Sequence, residues 1–216
     1  MILAFDTSGP YCSIAILSGD ALLATRHVEM VKGQAERLMP LIEDTLAQAG
    51  ADFADLTRIG VGTGPGNFTG IRISVSAARG LALARGIPAL GVTLFEALRL
   101  EAPPRALASL PATKTSLYLA ELTTQGISRP VQTTLEEMRP PADPSADGLT
   151  CIGHRADEIA AKFGLAVKPV ALTPGEAIAR VAAKMDTKDA PRPAPFYLRP
   201  ADAAPPRDPA PVILDA

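Results

Sequence analysis

The chain has no tryptophan, aromatic residues make up 4% of it, and its 216 residues include only two cysteines and two histidines. Cys12 and Cys151 stand far apart and outside any Cys-x-x-Cys pair, which excludes a zinc ribbon or a thioredoxin-like redox motif. Both read as small buried hydrophobes, and no disulfide is expected between them. His27 and His154 are isolated, one in an expected edge strand and one in a loop. With no HExxH, and no GxSxG elbow to expose a serine, metallopeptidase and serine-hydrolase readings have no motif to rest on.

An excess of either charge is also missing: 21 Lys and Arg face 23 Asp and Glu, a net charge of -2, with no long run of one sign. A stand-alone DNA or RNA binder is normally basic, so direct tight binding to nucleic acid is not expected. No apolar run reaches the about 18 residues of a membrane span, and no cationic segment precedes Ile2–Phe5. A cytoplasmic chain without membrane contact is the expectation.

What is present is enough apolar material, 47% of residues, for a real core. Residues 1–100 hold four prolines and twelve glycines, whereas residues 101–216 hold seventeen prolines and five glycines. The shift places a boundary at Glu101-Ala102-Pro103-Pro104, since a Pro-Pro pair cannot continue a helix. The division is 1–102, 103–190 and a Pro-rich tail over 191–216. Eight prolines between Ala190 and Pro211 make that tail extended, anchored at Phe196-Tyr197-Leu198 and Val212-Ile213-Leu214.

In the first half, short apolar runs at Ile2–Phe5 and Cys12–Leu17 flank Thr7-Ser8-Gly9-Pro10 and read as a hairpin, with a third strand over Ala21–Val28. Helical spacing then appears from Gln34 to Ala49, with Pro40 predicting a kink. A strand at Arg58–Thr63, a glycine-rich loop, a helix to about Arg85, a strand at Ala89–Val92 and a helix capped by Thr93 with Glu96 complete the order β-β-β-α-β-α-β-α. The second half opens alike, with Ala106–Leu110, a turn and Ser116–Leu122, and later supplies a strand at Thr150–Ile152 and a helix over Thr173–Met185. The reading is an α/β protein built from a duplicated unit.

Two features have chemical potential. Asp6 ends the first strand before Thr7 and Ser8, where a carboxylate either holds a metal–phosphate complex or caps its own turn. The loop Gly64-Pro65-Gly66-Asn67-Phe68-Thr69-Gly70 is neither a Walker A loop nor GxGxxG, but leads into a helix whose N-terminus favours anions. Its glycines equally suit close backbone packing, and Asn67 or Thr69 suits a helix cap. Gly64, Gly66, Asn67 and Thr69 thus join Asp6, Thr7 and Ser8 as a candidate degenerate phosphate site.

The helix after the loop has Ser76, Gly80 and Ala84 as a small-residue strip and charge only at Arg72, Arg79 and Arg85. The helix from Gln34 keeps apolar residues to spare at Ala35, Met39 and Leu46. Such faces suit a helical interface between chains or a thick monomer core.

The strings Asp6-Thr7-Ser8, Cys12-Ser13-Ile14-Ala15, Glu36-Arg37-Leu38-Met39-Pro40, Gly64-Pro65-Gly66-Asn67-Phe68-Thr69-Gly70-Ile71-Arg72-Ile73, Tyr118-Leu119-Ala120 and Tyr197-Leu198-Arg199 closely resemble the TsaB (YeaZ) family. The resemblance implies an actin-like ATPase (ASKHA) fold of two related subdomains, the second reduced. It implies a non-catalytic activating subunit in making threonylcarbamoyladenosine next to the anticodon of tRNAs that read A-starting codons. The implied partner is the catalytic paralogue TsaD, bound through the two N-terminal helices, with the ATPase TsaE and its nucleotide joining. Whether the chain forms a homodimer when alone is left open by the sequence, and tRNA is met only through the complex.

On that reading Arg37, Leu38, Met39, Leu41, Arg72, Ile73, Ser76, Arg79, Gly80 and Leu83 lie at or just behind the partner interface, the arginines at its rim. The chain departs from the family at Gln34, where a histidine is usual, and at Leu110-Pro111, where the second hairpin often has Asp. Cys151-Ile152-Gly153-His154 also lacks the family's adenosine-side glycine pair. No cofactor is then required by this chain, with ATP or ADP placed at the complex interface. The alternative is an independent actin-like ATP-dependent small-molecule kinase.

Overall fold

The computed structural model describes residues 1–139, 148–188 and 190–198. In the first half, β1 (Ile2–Asp6), β2 (Tyr11–Ser18) and β3 (Ala21–Glu29) form a meander, followed by α1 (Gln34–Gln48), β4 (Arg58–Gly62), α2 (Phe68–Arg85), β5 (Ala89–Val92) and α3 (Leu94–Arg99). The second half runs β6 (Ala106–Pro111), β7 (Ser116–Thr123), β8 (Gly126–Ile127), β9 (Val131–Thr134), β10 (Thr150–Gly153), α4 (Ala156–Phe163), β11 (Ala166–Lys168) and α5 (Pro174–Lys184).

The first sheet has the order β3-β2-β1-β4-β5 and the second β11-β10-β6-β7-β8, with β9 also on β7. In each, the opening hairpin is antiparallel (β1 with β2, β6 with β7) and the later strands are parallel to the first (β4 to β1, β10 to β6). Helical crossovers join β1 to β4 through α1, β4 to β5 through α2 and β10 to β11 through α4. The duplication read from the sequence is therefore real, and the second copy is the shorter one.

Side chains alternate across β1. Leu3 and Phe5 face α1 and α2, where they pack with Ile14, Ile16, Leu38, Ile42, Ile71 and Val75. Ile2 and Ala4 face the other way, into a central layer that includes Phe95 of α3 and Ile178 of α5. A third core under α4 joins Leu107, Leu117, Cys151 and Ile159. Each large side chain fully buried in these layers contributes about 1.5–3 kcal/mol of transfer free energy.

The central layer couples the halves. Helix α5 packs on β1, β2 and β4 of the first sheet, while α3 contacts β6 of the second. Small residues make the approach close: a Cβ on Gly60 would lie 2.9 Å from that of Ala182, and one on Gly175 would lie 2.8 Å from the Ile14 nitrogen. The Arg58 guanidinium donates to the carbonyls of Ala182 (3.1 Å) and Met185 (3.2 Å), tying β4 to the end of α5. A cut at residue 102/103 falls between α3 and β6, but α5, assigned by the sequence to 103–190, lies on the first sheet.

The chain then returns to the first half. Phe196 N–H donates to Thr63 O (2.8 Å), and Pro193 packs where a Cβ on Gly91 would stand. The Phe196-Tyr197-Leu198 anchor is docked there; the expected anchor at Val212-Ile213-Leu214 lies outside the described residues. Helix α1 continues through Pro40, which sits on its exposed side.

Candidate functional site

Asp6 closes β1, and Thr7 to Pro10 reverse the chain into β2. The tight hairpin brings Tyr11 back over the carboxylate. Asp6 Oδ2 accepts from Ser8 Oγ and Tyr11 OH, both at 2.8 Å, and Oδ1 accepts from Ser8 N at 3.2 Å. Asp6 has no exposed surface. Burial pushes its carboxyl above the usual range, opposed by the hydrogen bonds from Ser8 and Tyr11. Burial, and then the neighbouring Asp6, raise the Tyr11 phenol well above its usual value.

The glycine-rich loop packs directly on this turn. Asn67 N–H donates to Ser8 O (2.7 Å), and Thr7 Oγ1 donates to Gly70 O (2.7 Å). A side chain on Gly66 would collide with Ser8 O, one on Gly70 with Thr7 O, and one on Gly62 with the Asp6 carboxylate. Asn67 caps α2, its Oδ1 accepting from Gly70 N at 2.9 Å. Of the residues singled out in the sequence, Asp6, Thr7, Ser8, Gly66 and Asn67 meet here, with the glycines serving close backbone packing, whereas Gly64 packs on Ile71 and Thr69 is exposed on α2.

A metal–triphosphate complex does not suit these residues. Both Asp6 oxygens already accept hydrogen bonds, and burial disfavours the charged carboxylate that a metal would need. The facing β6–β7 hairpin offers Leu110, Pro111 and Ala112 in place of a carboxylate. Among the described residues, no three His, Cys, Asp or Glu side chains converge as metal ligands would.

Between the two hairpins lies a cavity of about 560 Å3, floored by α3 and α5. Its walls are largely apolar, with Pro10, Leu94, Leu98, Leu110 and Leu172 among them. Glu101, also on its wall, accepts from the backbone N–H groups of Ala171 (2.8 Å) and Leu172 (3.0 Å).

On the opposite side of the first sheet, α1 and α2 lie next to each other. Helix α2 turns Gly70, Ile71, Ser74, Val75 and Ala78 inward and Thr69, Ser76, Gly80 and Leu83 outward. Leu83 is 83% exposed, and a Cβ on Gly80 would meet no atom within 4 Å. Arg37 is exposed on α1, and Met39 and Ile73 are half-buried. Leu38 and Leu41, 1% and 2% exposed, point into the sheet and so lie behind the outer face of α1.

Arg72 and Arg79 are engaged by the returning C-terminal segment. Arg79 Nε donates to Pro193 O (2.8 Å) and Arg72 Nε to Tyr197 OH (3.0 Å). The Arg72 guanidinium sits 4.0 Å above the Phe68 ring, which stacks on Tyr197 with centroids 4.7 Å apart. Sequence reading missed Tyr11 as the cover of Asp6 and the arginines as clamps. The first was signalled by a four-residue turn between Asp6 and Tyr11, the second only by apolar residues in a Pro-rich tail.

Residues 29–193 match the family described as TsaD, tRNA N6-adenosine threonylcarbamoyltransferase. The tRNA threonylcarbamoyladenosine biosynthesis protein TsaB of Escherichia coli is 33% identical over 126 residues, 56% of this chain and 54% of that protein. A solved Pseudomonas aeruginosa structure, of an uncharacterized protein with similarity to peptidase YeaZ, superposes with a TM-score of 0.74 at 26% identity, covering 92% of this chain and 99% of that one. The chain belongs to the TsaB (YeaZ) family. The matched region spans about half the length of the E. coli TsaB. Component A of (R)-2-hydroxyglutaryl-CoA dehydratase from Acidaminococcus fermentans, at 8% identity and a TM-score of 0.54 over 85% of this chain and 98% of that one, shares the fold alone. This TsaB-family chain has the actin-like ATPase fold, with two related subdomains whose central-layer helices, α3 and α5, each contact the other half's sheet.

Proposed function

We propose that the chain is a non-catalytic activating subunit in the synthesis of threonylcarbamoyladenosine beside the tRNA anticodon, acting by binding TsaD through the outer faces of α1 and α2. The observation that carries the reading is the outer face of α2, where Thr69, Ser76, Gly80 and Leu83 leave a helix open to close approach. Small residues let two helix backbones come together, and an exposed leucine gains when a partner covers it. Arg37, Met39 and Ile73 border the same face, and Arg72 and Arg79 lie along its strap side.

The sealed Asp6 and the absent carboxylate on the second hairpin support a supporting role over an independent kinase. On this reading the chain needs no nucleotide of its own, and ATP or ADP acts where TsaE joins the pair. Transfer to tRNA belongs to TsaD, and tRNA reaches this chain only within the assembly, in the cytoplasm. No helix among the described residues is long and apolar enough to cross a membrane.

Size-exclusion chromatography with light scattering on the chain, alone and mixed with its cognate TsaD, tests the reading. A one-to-one complex is expected, lost on Gly80→Leu while the variant stays folded. No complex at micromolar concentration, or a complex indifferent to Gly80→Leu, overturns the partner or the face respectively. A homodimer of the chain alone, dispersed by TsaD, is expected if both use the same helices.

A further inference from the structure

The cleft between the two hairpins reaches the N-terminal ends of α1 and α2, where Gln34, Gly66 and Asn67 line it, and its chemistry is not that of a nucleotide site. At about 560 Å3 it is in the range of small-molecule pockets, which are mostly apolar with a few placed polar groups. Its walls come from both halves: Tyr11 from the first hairpin, Leu98 from α3, Ala112 and Lys114 from the second hairpin, and Leu172 and Ala177 from the α5 region. A ligand here touches both subdomains at once.

Three ionisable side chains line the space. The Tyr11 hydroxyl is spent on Asp6, and the Glu101 carboxylate on two backbone N–H groups. Lys114 is exposed, on the turn between β6 and β7, and belongs to none of the ion pairs of the described residues. The cleft therefore combines apolar walls with one uncommitted positive charge at its mouth. Phosphates would find a single lysine and no metal-holding carboxylate, whereas a hydrocarbon body finds leucine, proline and alanine walls.

We propose that this cleft is a binding site for a small amphipathic organic anion, its apolar body between α3, α5 and the two hairpins and its carboxylate at Lys114. Burying the apolar body supplies the affinity, and the lysine selects the sign of the head group. Because the site bridges the halves, occupancy stabilises their mutual packing by mass action. The cleft meets the N-terminal ends of α1 and α2, whereas the face proposed for the partner is the outer side of α2 at Ser76, Gly80 and Leu83, none of which lines it.

Isothermal titration calorimetry on the full chain with decanoate, decylammonium and ATP tests it. One decanoate per chain is expected, with a negative heat-capacity change, and decylammonium is expected to bind about tenfold more weakly. Lys114→Glu, an exposed substitution that leaves the core untouched, is expected to reverse that preference, while Lys184→Glu, away from the cleft, leaves it unchanged. Ala112→Phe, which fills the space from the second hairpin, is expected to remove binding of both. Absence of decanoate binding, binding unaffected by Lys114→Glu, or displacement of decanoate by ATP each overturns the assignment. Should Ala112→Phe fail to fold, the charge reversal at Lys114 alone decides.

Discussion

Tyr11 donates its hydroxyl to Asp6 Oδ2 across 2.8 Å, and this bond closes the first hairpin over the one carboxylate that the actin-like fold would offer to a metal. The phenol's raised pKa keeps it a donor throughout the physiological range. Ser8 completes the enclosure with a backbone and a hydroxyl donor, so Asp6 is satisfied and unexposed. A group so fully paired organises the turn against which the glycine-rich loop packs.

The raised pKa of Asp6 gives the first prediction its sign. A group whose folded pKa lies above its unfolded value, 3.8 here, contributes stability that is fully present below that value and is lost as pH rises through the folded pKa. Urea unfolding of the wild type and Asp6→Asn from about pH 3 to about pH 8 is therefore expected to show the wild type's relative stability highest at the acid end, falling to a plateau. A relative stability that grows with pH would falsify the desolvated-carboxyl account and favour a carboxylate held as an anion.

Two glycines on one helix are expected to answer oppositely to the same added methyl. At Gly70 the new Cβ runs into the Thr7 carbonyl oxygen, which is backbone and cannot rotate away, so Gly70→Ala is expected to cost about 2–4 kcal/mol. At Gly80 the space is open and the residue is mid-helix, so Gly80→Ala is expected to gain about 0.5–1 kcal/mol from helix propensity. Denaturant midpoints of the two variants, measured side by side, check both signs. Equal effects at the two positions would mean that the loop is free to move off the turn.

The strands and helices that cross the first half were legible because each has one apolar face and a clear stop: Thr93 with Glu96 caps α3 as their spacing predicts, and Asn67 caps α2. Helix α4 was not legible. It is eight residues long, and its N-cap, Arg155, is left-handed with no side-chain cap bond, so neither length nor capping residue announced it. Strands β8, β9 and β11 are two to four residues long and largely exposed, too short for alternation to register. The division of the chain at residue 102 missed α5 on the first sheet, because its small-residue stripe of Gly175, Ala179 and Ala182 says that something approaches closely but not which sheet it is. At the candidate site the residues were found and their state was not: whether Asp6 faces a ligand or a tyrosine depends on how a hairpin folds back.

The C-terminal segment is held by few but specific contacts, and these are expected to open without the fold opening. Arg79 Nε to Pro193 O and Arg72 Nε to Tyr197 OH hold the segment on α2, and Phe196 N–H to Thr63 O holds it on β4's end. In Arg79→Ala the amide of Phe196 is expected to exchange with solvent about tenfold faster, while amides of β1 and β4 keep wild-type protection. Exchange measured by mass spectrometry or NMR distinguishes this from global loosening, in which all three would speed up together.

Both thiols are expected to be silent in the folded chain. Burial pushes Cys12 and Cys151 up to about 11, with Asp6 adding to the effect at Cys12 and Arg37 opposing it. Near neutral pH about one thiol in 10⁴ is then ionised, and the thiolate is the reactive form. Neither has exposed surface, so a disulfide reagent must wait for an opening of the core: Cys12 lies under α1 and α2, Cys151 under α4. Modification followed by mass spectrometry is expected to label neither residue in minutes in native buffer and both in urea concentrated enough to unfold the chain. Faster labelling of Cys151 than of Cys12 at intermediate urea would show that the α4 layer opens first, the order expected from a smaller core beneath a shorter helix.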